Sequence, residues 1–154
     1  MTLPNSFRSN GAASTNQKDN KTTAPAQTVA PIYGPLHIFF GSQTGAAQNY
    51  SKILSEEAQK AGFDPTVVDL MDFTPDFFKG VKIAIFALAT HGEGEPTDNA
   101  KKFNEYIIAP ERTATEFKGL KYTVFALGNK QYQFYCAQGR RANEYLEKRG
   151  AERY

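Results

Sequence analysis

The residues with the clearest chemical potential lie in three short segments rich in Gly, hydroxyl and aromatic side chains. The first segment is GSQTGAA, residues 41–47, which follows an apolar run and precedes a stretch with helical spacing. Backbone N–H groups at such a strand-to-helix turn, together with the positive end of the helix dipole, form a cradle for an anion. Ser42 and Thr44 add hydroxyl donors. In isolation such a loop is more often a plain helix cap, so the prediction of an anion site depends on its position relative to the other two segments.

The first segment carries no positive charge, and this limits the kind of anion that it could hold. A Walker nucleotide loop requires Gly-Lys-Ser/Thr, which is absent, and residues 41–47 contain no lysine to meet a triphosphate. A monophosphate bound without a countercharge is the better match. The first segment therefore predicts a monophosphate site.

The second segment is ATHGEGEPT, residues 89–97, in which His91 precedes a Gly-Glu-Gly-Glu run. Its glycines would let the backbone approach a flat ligand closely or change conformation. Taken alone, His91 would be a surface histidine in a turn. Glu93 and Glu95 are expected to form a solvated acidic rim rather than a catalytic pair, because nothing places them around a scissile bond.

The third segment is LGNKQYQFYC, residues 127–136, and it is rich in aromatic residues. Tyr132, Phe134 and Tyr135 could stack on a planar ring, although anchoring of the following helix would explain one of the three. Cys136 is expected to be a small buried or loop residue, because no histidine is paired with it to make a nucleophile. The second and third segments thus predict a planar ligand.

The elements around these segments predict an open α/β sheet. Apolar runs predict four strands, in residues 36–40, 66–70, 78–89 and 117–128. The last two runs show little alternation, which indicates strands covered on both faces of a parallel sheet. Helical spacing of apolar residues predicts three helices. The first has apolar positions at Tyr50, Ile53, Leu54, Ala58 and Ala61. The second follows a Thr97 cap and has them at Ala100, Phe103 and Ile107, and the third has them at Ala142, Tyr145 and Leu146. Because parallel strands deliver their carboxyl ends to one edge, the three segments should meet there.

Length and composition limit the organisation of the chain. The 154 residues suffice for one domain, and residues 1–35 are too polar to pack, which predicts a disordered tail before a domain at 36–154. The domain carries 15 basic and 15 acidic residues, so no clustered basic face indicates nucleic acid as a partner. One cysteine and two histidines do not predict a disulfide framework or a metal site. With no membrane-length apolar run or secretory signal, the chain is expected to be cytoplasmic.

With these segments in place, the chain from about Leu36 to Tyr154 resembles the FMN-binding, flavodoxin-like domain of the NADPH–cytochrome P-450 reductase or diflavin reductase family. The motifs that carry the resemblance are GSQTGAA, ATHGEGEPTDNA and LGNKQYQFYC, whose order and spacing coincide with the family's three FMN loops. Each motif is weak alone and the set is specific. The resemblance implies a flavodoxin-like open parallel sheet with helices on both faces.

The resemblance also implies which residues bind FMN. Residues 42–47 would bind the phosphate, residues 89–92 would run past one face and the N5 edge of the ring, and residues 127–136 would cover the other face. Tyr132 matches the family's stacking tyrosine, and Gly92 the glycine whose carbonyl can turn toward N5–H. The implied set is Ser42, Gln43, Thr44, Gly45, Ala46, Ala47, Ala89, Thr90, His91, Gly92, Leu127, Gly128, Asn129, Lys130, Gln131, Tyr132, Gln133, Phe134, Tyr135 and Cys136.

By the same resemblance, electrons pass from NADPH to FAD in a separate FAD/NADP-binding reductase domain, then to FMN, and singly to a haem protein such as a cytochrome. A full-length relative would lie at the endoplasmic reticulum membrane. His91 stands where these reductases usually have a stacking tyrosine, which predicts a pH-dependent flavin potential. Ala46 stands where the family has a hydroxyl residue in the phosphate loop. Because the domain is neutral, the acidic docking surface of the family is less pronounced here.

The end of the chain departs most from the family pattern. Residues 151–154 look like the opening of a fifth strand that is then cut off, before the family's last flavin-contacting loop and its closing helix. Two alternatives to the FMN carrier stay open. One is a flavodoxin-like scaffold that has lost FMN and acts through protein contacts, and the other is the flavodoxin domain of a tRNA-modifying radical enzyme, which shares a GSQTG loop.

Overall fold

Strands and helices alternate along the chain in the computed structural model, which describes residues 30–154. Most of the expected tail, residues 1–29, lies outside this part. The elements, in chain order, are β1 (Pro35–Gly41), α1 (Ala46–Lys60), β2 (Asp64–Asp69), α2 (Pro75–Lys79), β3 (Ile83–His91), β4 (Glu95–Pro96), α3 (Lys101–Ile108), β5 (Lys121–Leu127), α4 (Ala137–Lys148) and β6 (Glu152–Arg153), with 3-10 turns at Leu70–Asp72 and Asp98–Ala100.

Five of the strands form a parallel sheet in the order β2-β1-β3-β5-β6. This confirms the predicted open parallel sheet, including the opening of a fifth strand, because Glu152 and Arg153 of β6 pair with the start of β5. The short strand β4 was not predicted, and it pairs antiparallel with the end of β3. Crossovers through helices keep the carboxyl ends of the parallel strands at one edge.

The two faces of the sheet are packed differently. The aromatic face, which carries α2, α3 and α4, contains Phe39 and Phe86 stacked at a centroid distance of 5.3 Å, with Phe103 stacked on Phe86 at 5.2 Å. All three side chains are buried. The α1 face, which carries α1, has a smaller buried cluster around Phe40, Ala47 and Ala87, beside the buried Leu36 and Ile38 of β1. The densest part of the core therefore lies on the aromatic face.

Helix α1 shows where the predicted burial pattern was wrong. It buries Ala47 and Ser51, whereas Tyr50 and Ile53, expected on its apolar side, are 47% and 54% exposed. The Tyr50 ring instead contacts Phe125 of β5 at a centroid distance of 5.5 Å. The apolar stripe of α1 is wider than the surface that the strands beneath it cover, so its outer edge remains in solvent.

Three further features differ from the sequence-based prediction: the start of the packed domain, helix α2 and the cap of α3. The packed domain starts before residue 36, because the N–H groups of Ile32 and Tyr33 bond to the Gly62 carbonyl at 2.7 and 3.0 Å. Helix α2 was missed, although Thr74 caps it by accepting from the Phe77 N–H at 3.3 Å. The predicted Thr97 cap of α3 was wrong, because that hydroxyl bonds to a side chain within a 3-10 turn preceding α3.

Candidate functional site

Three loops follow the carboxyl ends of β1, β3 and β5, which are neighbours in the sheet. Loop 1 comprises residues 42–45, loop 2 residues 92–94 and loop 3 residues 128–136. The helix after loop 1 lies on the α1 face, whereas α3 and α4 pack on the aromatic face. The chain therefore changes sides between β1 and β3, and such a switch point is where open α/β sheets bind ligands. The structure thus brings the three predicted segments to one edge.

Loop 1 presents backbone N–H groups at the start of α1. Gly45, the N-cap, has a φ of +89°, in the left-handed region that favours Gly. The Ser42 hydroxyl accepts a hydrogen bond from the Gly45 N–H at 3.0 Å, so its own proton remains available. The first helical bond joins the Asn49 N–H to the Gly45 carbonyl, and the N–H groups of Ala46 and Ala47 therefore have no partner within the helix. These donors are of the kind that a phosphate group accepts.

Gln43 of loop 1 and Asp98 of the turn before α3 form a hydrogen-bonded pair that joins the loop to that turn. Gln43 Nε2 donates to Asp98 Oδ2 at 2.9 Å, and the Asp98 N–H donates to Gln43 Oε1 at 3.1 Å. Lys101 Nζ lies 2.7 Å from Asp98 Oδ1. The hydrogen bonds from Lys101 and Gln43 lower the pKa of the exposed Asp98 carboxyl. Thr44, by contrast, is exposed at the tip of loop 1.

Loop 2 is the turn of a tight hairpin between β3 and β4. His91 and Thr90 pair with Glu95 and Pro96, and the Gly94 N–H bonds to the His91 carbonyl at 3.2 Å. Ala89 and Thr90 are half-buried, and His91 is exposed. Gly92 and Gly94 both have positive φ values. The predicted Gly-rich segment is thus an extended strand end followed by a sharp turn.

A buried glutamine, which no sequence pattern marks, fastens loop 2 to α4. Gln138 is 5% exposed, and its Nε2 donates to the Gly94 carbonyl at 2.6 Å. The Gln138 N–H also donates to the Thr90 hydroxyl oxygen at 3.2 Å. Loop 2 is therefore held by the first turn of the helix that follows loop 3.

Loop 3 is a series of turns that leaves one tyrosine in solvent. Asn129 Oδ1 accepts from the Gln131 N–H at 2.9 Å, and its carbonyl accepts from the Tyr132 N–H at 3.0 Å. The Tyr132 side chain is 71% exposed. Phe134 lies against Gly94 of loop 2, where an added Cβ would be 3.1 Å from the ring. Phe134 thus packs against loop 2, and the Tyr132 ring is accessible to a ligand.

The other predicted positions of loop 3 divide by exposure. Cys136 is buried, has a φ of +53°, and its Sγ lies 3.7 Å from the Ala126 carbonyl oxygen, as expected of a small buried residue. The neighbouring Cys136 thiol raises the pKa of the Tyr135 phenol. Leu127 and Tyr135 are half-buried. The exposed positions are Gly128, Asn129, Lys130, Gln131 and Gln133.

The donor set of this edge fits FMN. Loop 1 offers uncharged phosphate donors, loop 2 offers extended backbone, and loop 3 offers an exposed tyrosine ring. A phosphate at a helix start and a planar ring against an aromatic side chain are both favourable contacts. Within residues 30–154, no three His, Cys, Asp or Glu side chains are grouped so as to hold a metal ion.

Comparison with known proteins decides the family. Residues 38–154 match the flavodoxin family model, a range that includes all three loops. The chain belongs to the flavodoxin family. The resemblance to a flavodoxin-like domain, inferred from three motifs, is thereby confirmed, as is the flavodoxin-like fold class.

The relatives of this flavodoxin domain include much longer reductases. It is 42% identical over 123 residues to the NADPH–cytochrome P450 reductase of Bos taurus, which covers 75% of this chain and 17% of that protein. It is 35% identical over 142 residues to the sulfite reductase (NADPH) flavoprotein alpha-component of Bacillus subtilis, 92% of this chain and 23% of that protein. The chain thus spans 17% to 23% of the length of these two relatives.

Solved structures of flavodoxins share the fold of this domain. The flavodoxin of Streptococcus pneumoniae TIGR4 superposes with a TM-score of 0.67 at 25% identity, covering 77% of this chain and 79% of that one. A Pseudomonas aeruginosa flavodoxin variant gives 0.66 at 22% identity, covering 77% and 78%, and supports the fold alone. Within residues 30–154, none of the helices is long and apolar enough to cross a membrane.

Proposed function

We propose that this flavodoxin domain binds FMN in the crevice formed by loops 1, 2 and 3 and serves as the electron-transfer module of a diflavin reductase. The observation that supports it best is the placement of a phosphate cradle, a Gly-rich hairpin and the exposed Tyr132 after three neighbouring parallel strands. Bound FMN would supply redox chemistry, with one- and two-electron steps, that amino-acid side chains lack.

In this proposal, loop 1 holds the phosphate by hydrogen bonds rather than by charge. The Ser42 hydroxyl keeps a proton to donate, and Ala46 and Ala47 contribute backbone N–H groups at the positive end of α1. Ala46 can contribute only its backbone, so the hydroxyls of Ser42 and Thr44 are the side-chain donors. Gln43, held by Asp98, keeps the loop closed.

The flavin ring would lie between loop 2 and loop 3. Residues 89–92 would line one side and the N5 edge, and residues 127–136 would cover the other, with Tyr132 stacked on the ring. Gln138 and Phe134 hold the two loops together, so that the spacing between them is set before any ligand binds. Such preorganisation lowers the cost of binding.

The partners in this proposal follow from the long relatives named as NADPH-dependent reductases. An FAD/NADP-binding reductase domain would deliver electrons, and a haem protein such as a cytochrome would accept them singly. The exposed residues His91, at the end of β3, and Tyr132, in loop 3, would lie near the flavin and so favour electron transfer at this edge.

Flavin titration of the purified chain tests the proposal. Addition of the chain to FMN should quench flavin fluorescence with a saturable dependence, and Tyr132→Ala should weaken binding about tenfold, through loss of ring stacking. Tyr154 provides a matched control, because it is 72% exposed and lies beyond β6, at the opposite edge of the sheet from the loops.

Two outcomes would count against FMN binding at this edge. A chain that takes up no FMN would favour a flavodoxin-like scaffold acting through protein contacts. Equal loss of affinity in Tyr132→Ala and Tyr154→Ala would mean that the flavin does not contact loop 3.

A further inference from the structure

Asn99, in the turn before α3, connects three segments that are distant in the chain. Its Oδ1 accepts hydrogen bonds from the Ser42 N–H at 3.0 Å and from the Thr97 hydroxyl at 2.8 Å. Its Nδ2 donates to the Phe40 carbonyl at 3.2 Å and to Asp69 Oδ1 at 2.8 Å. One carboxamide therefore joins the end of β1, the start of loop 1 and the end of β2.

These four bonds use the whole hydrogen-bonding capacity of the Asn99 carboxamide. They also fix its orientation, because a flipped amide would set its NH2 group against the Ser42 N–H and its oxygen against the Phe40 carbonyl. Asp69 is itself held in place, since its Oδ1 also accepts from the Met71 N–H at 2.8 Å. The network thus satisfies its groups in one arrangement.

Steric fit places the same turn against loop 1 independently of these bonds. Thr97 is fully buried and Ala100 is 5% exposed. A Cβ added at Gly41 would lie 2.9 Å from Ala100 Cβ and 3.0 Å from Thr97 Oγ1, closer than side chains tolerate. Gly41 therefore has to lack a side chain for the turn to approach, and this close approach brings Asn99 within reach of Ser42.

The bond to Asn99 holds the start of loop 1, at Ser42, in place. The Ser42 N–H is bound to Asn99 and the Gly45 N–H is bound to the Ser42 hydroxyl, so the loop is constrained at both ends. The remaining donors of loop 1 and of the first turn of α1 then have a set spacing. A phosphate group, which needs several donors at once, is sensitive to that spacing, whereas a flavin ring in the crevice is not.

We propose that Asn99 is a positioning residue that sets the conformation of loop 1 for the phosphate of FMN, and thereby the preference of the domain for FMN over riboflavin. This inference rests on the proposed function for its ligand. Its structural part, the hold of Asn99 on Ser42, is a property of the chain without flavin. Asn99 acts through the Ser42 backbone and is not a phosphate ligand.

Three variants separate the bonds of Asn99. Asn99→Ala removes all four. Asn99→Asp keeps the two acceptor bonds, loses the donors, and sets a second carboxylate beside Asp69. The double variant Asn99→Asp with Asp69→Asn returns a donor to that contact from the other side, while residue 69 can still accept from the Met71 N–H.

The first measurement compares the dissociation constants of FMN and riboflavin by fluorescence quenching. Asn99→Ala should weaken FMN binding about tenfold, because it loses the bond to Ser42, and Asn99→Asp, which keeps that acceptor, should weaken it less. Neither variant should change riboflavin binding by more than about twofold, because these bonds shape only the phosphate site. The double variant should recover part of the FMN affinity. Asn104→Ala is the matched control, because Asn104 is a 9% exposed asparagine one turn into α3, and its ratio of FMN to riboflavin affinity should equal that of the wild type.

The second measurement is hydrogen exchange of the Ser42 amide in the flavin-free chain. Exchange should be faster in Asn99→Ala than in the wild type, because the acceptor of the Ser42 N–H is gone. Unchanged exchange, or equal weakening of FMN and riboflavin, would overturn the role of Asn99. A wild-type chain that binds neither flavin would refute the proposed function alone, since the exchange of Ser42 still reports whether Asn99 holds loop 1.

Discussion

The aromatic face and the α1 face of one sheet are stabilised to very different extents. On the aromatic face, Phe39, Phe86 and Phe103 form a continuous stack, and α2, α3 and α4 cover this face. On the α1 face, an open apolar groove of about 610 Å³ runs beside α1, and Tyr50 and Ile53 are half-exposed. The stability of the domain should therefore reside mainly on the aromatic face.

The candidate site draws on both faces, which makes this difference relevant to function. Loop 1 leads into α1, whereas loop 2 is fastened by Gln138 of α4, a helix packed into the aromatic core. Asn99 links the two halves, because its turn enters α3 on the aromatic face and its side chain holds Ser42 of loop 1. The candidate site thus combines one firmly anchored side with one side held by a few hydrogen bonds.

The largest effect should come from truncating neighbouring residues that lie on opposite faces of β3. Phe86→Ala should lower the free energy of unfolding by about 3–5 kcal/mol, because it removes a fully buried ring between Phe39 and Phe103. Ile85→Ala, beside the groove, should cost only about 1 kcal/mol, since Ile85 is half-buried. Urea unfolding followed by circular dichroism measures both, and similar losses for the two variants would mean that the faces are equally important.

A smaller effect is expected from adding a charge to the α1 face. Ile53→Lys should change the free energy of unfolding by no more than about 0.5 kcal/mol, because Ile53 is 54% exposed. It should also reduce self-association at high concentration, since it interrupts an exposed apolar surface. Light scattering against concentration provides the measurement, with Gln59→Lys, on an exposed site of the same helix, as a control for added charge. A large loss of stability would show that this surface is buried after all.

The smallest effect concerns a histidine at the margin of the aromatic face. The His37 ring meets Phe77 edge-on at 5.3 Å, and burial lowers its pKa below 6.5. As the pH falls through about 6.5, the unfolded chain gains a proton that the folded chain resists, so stability declines with acidification. His37→Gln should lose less stability between about pH 7.5 and about pH 5.5 than the wild type does. Equal losses, measured from urea midpoints, would exclude His37 as a source of the pH dependence.

The sequence predicted the elements whose signal is local. The buried strands were recognised by continuous apolar runs, and the three loops by residue types at strand ends, because both features lie within a few consecutive residues. Helix α2 has a local start signal, Thr74 followed by Pro75, but its five residues are too few for apolar positions to show a helical period. The membership of the family was also accessible, since the three motifs together are specific.

The features that could not be predicted depend on contacts between distant residues. Which side of α1 is buried depends on how much sheet lies under it, and the helical pattern of Tyr50 and Ile53 carries no information about that. Asn99 reaches Ser42 across 57 positions, and Gln138 reaches Gly94 across 44. No periodicity marks either residue, because a single polar side chain in a turn or at the start of a helix looks like any other.

The absent side chain of Gly41 has a consequence for anyone who would move this binding loop into another protein. Because the 97–100 turn fits against Gly41 and bonds to Ser42, the motif GSQTG is only half of a transferable unit. A host sheet that received residues 41–47 alone would have the sequence of the loop without the contacts that set its conformation. Grafts that carry both segments, and a strand end with Asp69, should retain the cradle.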